Sequence, residues 1–219
     1  MKHDSRPVYL LRLAIALIPA IFWGCQSHAP GDARVPVDNV YEVDDELPSH
    51  IQRVALLPVY WEGYQPYTDD YVDEVVAQAL RESTRFEVVT IPREIMRDWY
   101  GDTQINSQTR LPRDLPQRIL DDYGATGLML VDLNHFRPYP PMEVSMKAQL
   151  VDISTGETVW TVDHTETAGN PALQEAAEKT EADNLDAPVE AFAQRASYSP
   201  RRFLAVVSQS LFHTLPKRH

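Results

Sequence analysis

Side chains able to do chemistry are thinly spread along this chain, and few stand at spacings that would let them act together. Asp69 and Asp132 could serve as the paired acid and base of a hydrolase acting on cell-wall or polysaccharide material. His135 and His164, with Asp132 or Asp163, could ligate zinc if the fold joined them. They belong to different predicted strands with a third between, which favours ordinary strand-end histidines. Asp69, Asp70, Asp73 and Glu74 form a denser acidic group that a hard cation could use. Their position at a predicted helix start favours capping and dipole compensation instead. No glycine-rich phosphate loop follows the first predicted strand, and no G-x-S-x-G elbow or metal signature is present, so no cofactor or metal is expected. What remains is a single thiol, Cys25, the one cysteine among 219 residues, which rules out an intramolecular disulfide.

The surroundings of Cys25 give that thiol a use. Lys2, Arg6 and Arg12 precede an apolar run from Leu13 to Trp23, interrupted by Pro19. Roughly eleven residues are too few to span a bilayer, which takes about 20, but they suit the hydrophobic region of a signal peptide over residues 1–24. The sequence Ile21-Phe22-Trp23-Gly24-Cys25-Gln26-Ser27 resembles the lipobox of bacterial lipoproteins, with Gly24 before the lipidated cysteine, although Phe22 and Trp23 replace the usual Leu and small residue. The alternatives are a buried free thiol and an uncleaved signal anchor. Acylation of Cys25 implies a lipid bilayer as the first partner, and Gln26 resembles the outer-membrane sorting pattern, so the expected site is the outer membrane, facing the periplasm.

Loss of residues 1–24 removes Lys2, Arg6, Arg12 and Asp4, which takes the formal net charge from −12 to −14. Such a surface repels phosphate backbones, so nucleic acid is not an expected partner. Hydrophobic content of 43% against 24% charged residues marks a folded domain, not a disordered chain.

Residues 25–50, rich in proline and acids, read as a flexible tether. Arg53 to Trp61 reads as a strand buried on both faces, with Pro58 where its pairing ends. Thr68 to Leu80 reads as a helix burying Val72, Val75, Val76, Ala79 and Leu80. Arg85 to Thr90 is the second strand. Pro92 with Ile95, Met96 and Trp99 opens a short helix stopped by Gly101, and a further helix near Asp114 to Tyr123 turns Leu115, Ile119 and Leu120 inward and ends at Gly124. Thr126 to Phe136, Glu143 to Ile153 and Thr158 to Thr165 are the remaining strands, the last two joined at Ser154-Thr-Gly-Glu157. The expected fold class is therefore α/β: a mixed sheet, its parallel βαβαα part followed by an antiparallel three-strand meander, covered by helices. Residues 168–187 read as an acidic linker. Residues 188–219 read as a C-terminal helical segment, opened by Ser199-Pro200, whose stripe of Phe203, Leu204, Val207, Leu211 and Phe212 must pack on the sheet or on a partner.

Asp122-Tyr-Gly-Ala-Thr-Gly-Leu-Met-Leu-Val131, followed by Leu150-Val-Asp-Ile-Ser-Thr-Gly-Glu-Thr-Val-Trp160, resembles lipoproteins related to the curli secretion protein CsgG. That wider group includes the lipoprotein activators of penicillin-binding proteins and the Pel polysaccharide lipoprotein PelC. The resemblance spans about residues 51–167. It implies a periplasmic α/β domain that binds other envelope proteins or assembles into rings as a homo-oligomer, and it implies no catalysis. A pore is not expected, because the join Arg137 to Met142 is short and Gly169 to Asp186 lacks the 9 to 11 alternating residues, about one membrane strand's worth.

Aromatic residues offer the surface to test first. Trp61, Tyr64 and Tyr67 follow the first strand and Tyr139 the third, so parallel strands would send both loops off one edge. These rings are candidate contacts for an envelope protein partner, or else they pack locally. The expected role is a non-enzymatic scaffold, activator or assembly factor of the cell envelope, with an envelope hydrolase as the alternative.

Overall fold

A computed structural model of the chain describes residues 35–63, 71–173 and 199–218. Six strands form one sheet in the order β1-β6-β5-β4-β2-β3. They are β1 (Val40–Glu42), β2 (Arg53–Leu56), β3 (Glu87–Thr90), β4 (Gly127–Arg137), β5 (Glu143–Asp152) and β6 (Thr158–Thr167). The helices are α1 (Tyr71–Glu82), α2 (Arg93–Tyr100), α3 (Leu115–Tyr123) and α4 (Pro200–His213). β2 pairs in parallel with β3 and β4, while β4, β5 and β6 form the expected meander.

Periodicity in the sequence explains which side each element shows to the core. In β5, Val144, Met146, Ala148 and Leu150 are buried and the residues between them half-buried, so one face meets the core and the other faces outward. α1 buries Val72, Val75, Val76, Ala79 and Leu80, and α4 buries Phe203, Leu204, Val207, Leu211 and Phe212. These two helices share one apolar cluster with that face of the sheet, so the α4 stripe finds its partner within the chain, Phe212 meeting Trp160 at 6.4 Å between ring centroids. α2 and α3 cover β2 and β4 from the opposite face through Met96, Leu115 and Ile119.

Two glycines are fixed by geometry. Gly124 ends α3 in the left-handed region at φ +63. Gly127 lets β4 lie against β2, since a Cβ there would come within 2.8 Å of Val54 Cγ2 and 2.9 Å of Ile51 Cγ2.

The structure departs from expectation in four places. Residues 35–50, read as tether, follow the domain: β1 pairs antiparallel with β6, and Val35 and Leu47 are buried. Prolines and acids mask these contacts because only isolated residues of the segment turn inward. Leu120 is 40% exposed, the helix turning one residue further than its apolar pattern implies. Pairing to β4 resumes beyond Pro58, where Tyr60 N donates to Val131 O at 2.8 Å and Tyr60 O accepts from Leu133 N at 2.7 Å. In the segment read as an acidic linker, Ala168 N donates to Met142 O and Leu173 is buried, while residues 174–187 lie outside the described residues.

Candidate functional site

β2 leads into α1 on one face of the sheet and β3 into α2 on the other. The two exits diverge, and a cavity of about 320 Å³ opens between them at the carboxyl ends of the strands. Leu56, Leu57, Val59, Ala77 and Ile91 supply its apolar wall, and Asp73 and Arg93 its polar one.

That polar wall is a closed knot. Arg93 is 9% exposed and donates from Nε to Asp73 Oδ2 at 2.6 Å and from Nη2 to Asp73 Oδ1 at 2.9 Å. It also donates to Val59 O at 2.9 Å and to Gln104 Oε1 at 3.0 Å. Asp73 Oδ1 in turn accepts Val59 N at 2.9 Å. Gln104 closes the circuit on Trp61, accepting from its N and donating to its O at 3.3 and 3.1 Å. The long join between α2 and α3 is thereby strapped over the exit of β2. A second fastener is Asp132, fully buried on β4, which accepts from Ser107 N at 2.9 Å and Ser107 Oγ at 2.6 Å.

Of the aromatic candidates, Trp61 and Tyr139 fall among the described residues, and the parallel pairing of β2 and β4 does send their loops off one edge. Their environments differ. Trp61 is half-buried and meets Phe136 edge to face at 5.7 Å, so most of its ring packs locally. Tyr139 is 75% exposed at the tip of the β4–β5 hairpin. Arg137 stiffens that tip, donating from Nε to Pro141 O at 2.6 Å and pairing with Glu143 at 3.3 Å. Tyr64, Tyr67, Asp69 and the lipidation candidate Cys25 lie outside the described residues.

The two histidines are separated by more than a strand. His135 sits opposite Ser145, on the outward face of β5, and His164 opposite Met146, on its buried face. They therefore stand on opposite sides of the sheet. His164 lies 3.4 Å from Glu166, whose carboxylate also accepts from Thr167 N and Asn170 Nδ2. Burial pushes the Glu166 carboxyl up, but these donors together bring it below its ordinary value.

One polar cluster was missed in the sequence. Asp152, at the end of β5, accepts from Ser154 Oγ at 2.6 Å and Ser154 N at 2.8 Å, and His50 Nε2 lies 2.8 Å from its other oxygen. Burial raises this carboxyl as well, and the Ser154 and His50 contacts outweigh it and lower it. The trio has the composition of a nucleophilic triad but not its geometry. Ser154 gives its proton to Asp152, and the same histidine nitrogen faces both partners, at 2.8 and 3.5 Å, whereas a relay needs one ring nitrogen for each. It is a clamp tying the N-terminal segment to the β5–β6 turn. Its signal in the sequence was the Asp-x-Ser spacing, which marks a side chain folded back onto its own turn.

No family model matches the chain, and no curated protein matches it. Solved structures with a similar course of chain include a PelC dodecamer from Paraburkholderia phytofirmans, at 12% identity and TM-score 0.39, covering 78% of this chain and 95% of that one. Lipoprotein GNA1162 from Neisseria meningitidis matches at 16% identity and TM-score 0.39, covering 64% and 100%. The C-terminal domain of LpoB from Salmonella enterica matches at 16% identity and TM-score 0.36, covering 53% of this chain and 82% of that one. Likenesses of this size assign the chain to no family.

Proposed function

We propose that the chain is a lipoprotein of the bacterial envelope, anchored through lipid on Cys25 to the outer membrane and facing the periplasm. There it serves as a non-enzymatic scaffold, activator or assembly factor for an envelope, secretion or polysaccharide export system. The observation that supports a binding role is how the polar groups at both ends of the parallel strands are engaged, Asp152 standing opposite Gly127 at the start of β4. Asp73 is held by Arg93, Asp132 is sealed against Ser107, and the Ser154–Asp152–His50 cluster is wired as a clamp. The hydrolase reading requires Asp132 as an accessible acid or base, and a fully buried carboxylate already accepting from Ser107 is a poor one. A rigid hairpin tip presenting Tyr139 offers contact area at low entropic cost.

Two measurements test this reading. Mass spectrometry of the mature N-terminus should find acyl groups on Cys25, and Cys25→Ala should release the chain from the membrane. An intact starting methionine on a freely soluble product would overturn the anchor. Photo-crosslinking in cells from position 139 should capture an envelope protein, and the same probe at Asp163 should not. Equal, unselective capture from both positions would remove Tyr139 as the contact.

A further inference from the structure

The sheet ends in two strands whose outer sides pair with no described strand. At β1, Asn39 O accepts from Asp163 N and Val43 N donates to Val159 O, so the odd-numbered residues turn their backbone groups toward β6. By the alternation of a ladder, the N–H and C=O groups of Val40 and Glu42 point off the edge. At β3, Glu87 N donates to Gln52 O and Ile91 N to Leu56 O, which leaves the groups of Val88 and Thr90 pointing outward. Each edge is a template for another strand.

The nature of that strand is written in the flanking side chains. Five large hydrophobic side chains are exposed among the described residues, and three of them, Val40, Tyr41 and Val43, stand in or beside β1 at 36%, 58% and 54%. Exposed Asp38, Glu42 and Asp44 are interleaved with them and no cation is. Like charge disfavours a second β1 as the mate. The β3 edge carries the opposite sign. Arg85 precedes it, Arg218 donates to Arg85 O at 3.1 Å, and the one acid of the strand, Glu87, is paired with Arg53 at 2.9 Å. The Nε of Arg85 is buried with no hydrogen-bond partner. Direction agrees as well: β2, β3, β4 and β6 run one way and β5 and β1 the other. A second copy continuing the sheet brings its β1 antiparallel to β3, the more stable pairing.

We infer that these edges are the two halves of one interface between copies of this chain, β1 of one adding to β3 of the next. Such a head-to-tail contact repeats, closing into a ring or growing as a filament according to the rotation between copies. Both strands are short, so the contact is weak in dilute solution, and confinement of many copies to one membrane raises their effective concentration. This confinement rests on the anchor proposed above, whereas the pairing of edges does not.

The test uses the full chain in cells. Val40→Cys with Thr90→Cys, and Glu42→Cys with Val88→Cys, set thiols opposite each other in one antiparallel register, at Cα separations of about 4.5–5.5 Å that a disulfide spans. Each double variant should give a non-reducing ladder of dimers, trimers and larger species. The four single variants and the unsubstituted chain, whose thiol is Cys25, should give none. Through the charge of the two edges, and not as a facing pair, Glu42→Arg and Arg85→Glu should each cut chemically crosslinked multimers about tenfold. Dimers from Val40→Cys alone would mean that β1 meets β1, and would overturn the inference. Multimers indifferent to both charge reversals would overturn the edges and leave assembly standing. Monomer throughout, in a chain still fractionating with the membrane, would overturn self-association and leave the anchor intact.

Discussion

Arg93 serves Asp73, Val59 O and Gln104 at once, and through Gln104 it sets the backbone of Trp61. Its removal leaves a half-buried carboxylate and two backbone or amide groups without their donor. With Asp73 32% exposed, water recovers part of that loss, so Arg93→Ala should destabilise by about 2–3 kcal/mol, read as a lower urea midpoint. Arg93→Lys should recover only part, since an ammonium cannot reproduce the fork. Loss below about 0.5 kcal/mol would show that the knot is decorative. Asp152 and Glu166 carry a pH dependence with a definite sign. Both are lowered in the folded chain, so on acidification the unfolded chain takes up protons first. Their contribution is complete above the unfolded carboxylate range of about 3.9–4.3 and is lost as pH falls through the lower folded values. The urea midpoint should therefore hold from these two groups between pH 7 and pH 5 and drop below about pH 4. Asp152→Asn should flatten part of that drop. An unchanged profile in the variant would detach the clamp from acid stability.

At the level of elements, the N-terminal segment separates what the sequence shows from what only packing decides. The 3.6-residue stripes of α1 and α4, the alternation of β5 and the glycine stops at Gly101 and Gly124 were all legible, because each is a local pattern with a local cause. β1 was not, because a three-residue edge strand has too few residues to show a period. The same holds for Asp152 and His50, which lie 102 residues apart and meet only once the segment is laid down. The aromatic edge was half legible: parallel pairing put Trp61 and Tyr139 on one edge, but the packing of Trp61 on Phe136 depends on a contact between two strands. If residues 35–50 are structural, Leu47→Ala should cost about 2–3 kcal/mol, as a buried leucine does, whereas in a tether it would cost nothing. Gly127→Ala, which drives a methyl into Val54 and Ile51, should cost about 1–3 kcal/mol. Chemical unfolding of both variants decides these expectations. A silent Leu47→Ala would return the segment to a leash.

For the whole molecule, docking of residues 35–50 shortens the stretch of sequence between the proposed anchor and the domain. From Cys25 to Val35 there are ten residue steps, which reach at most about 36 Å at full extension, whatever path they take. A tether running to His50 would have reached more than twice as far. Val35 is itself fastened, its N donating to Ser210 Oγ at 3.3 Å, so the short span ends on the α4 side of the domain. An anchor at Cys25 would therefore hold the β1 edge, five residues on from Val35, near the bilayer. It would bound where a partner can stand and confine copies of the chain to a shallow layer in which their edges meet often. Energy transfer from a dye at Tyr41→Cys to acceptor lipids, in vesicles carrying the acylated chain, measures that height. Transfer should be efficient in the natural chain. It should fall when about 20 Gly/Ser residues, adding a root-mean-square reach of about 25 Å, are inserted after Ser27. Weak transfer from the outset would mean that the edge stands off the membrane, and transfer indifferent to the insertion would mean that contacts other than the leash set its height.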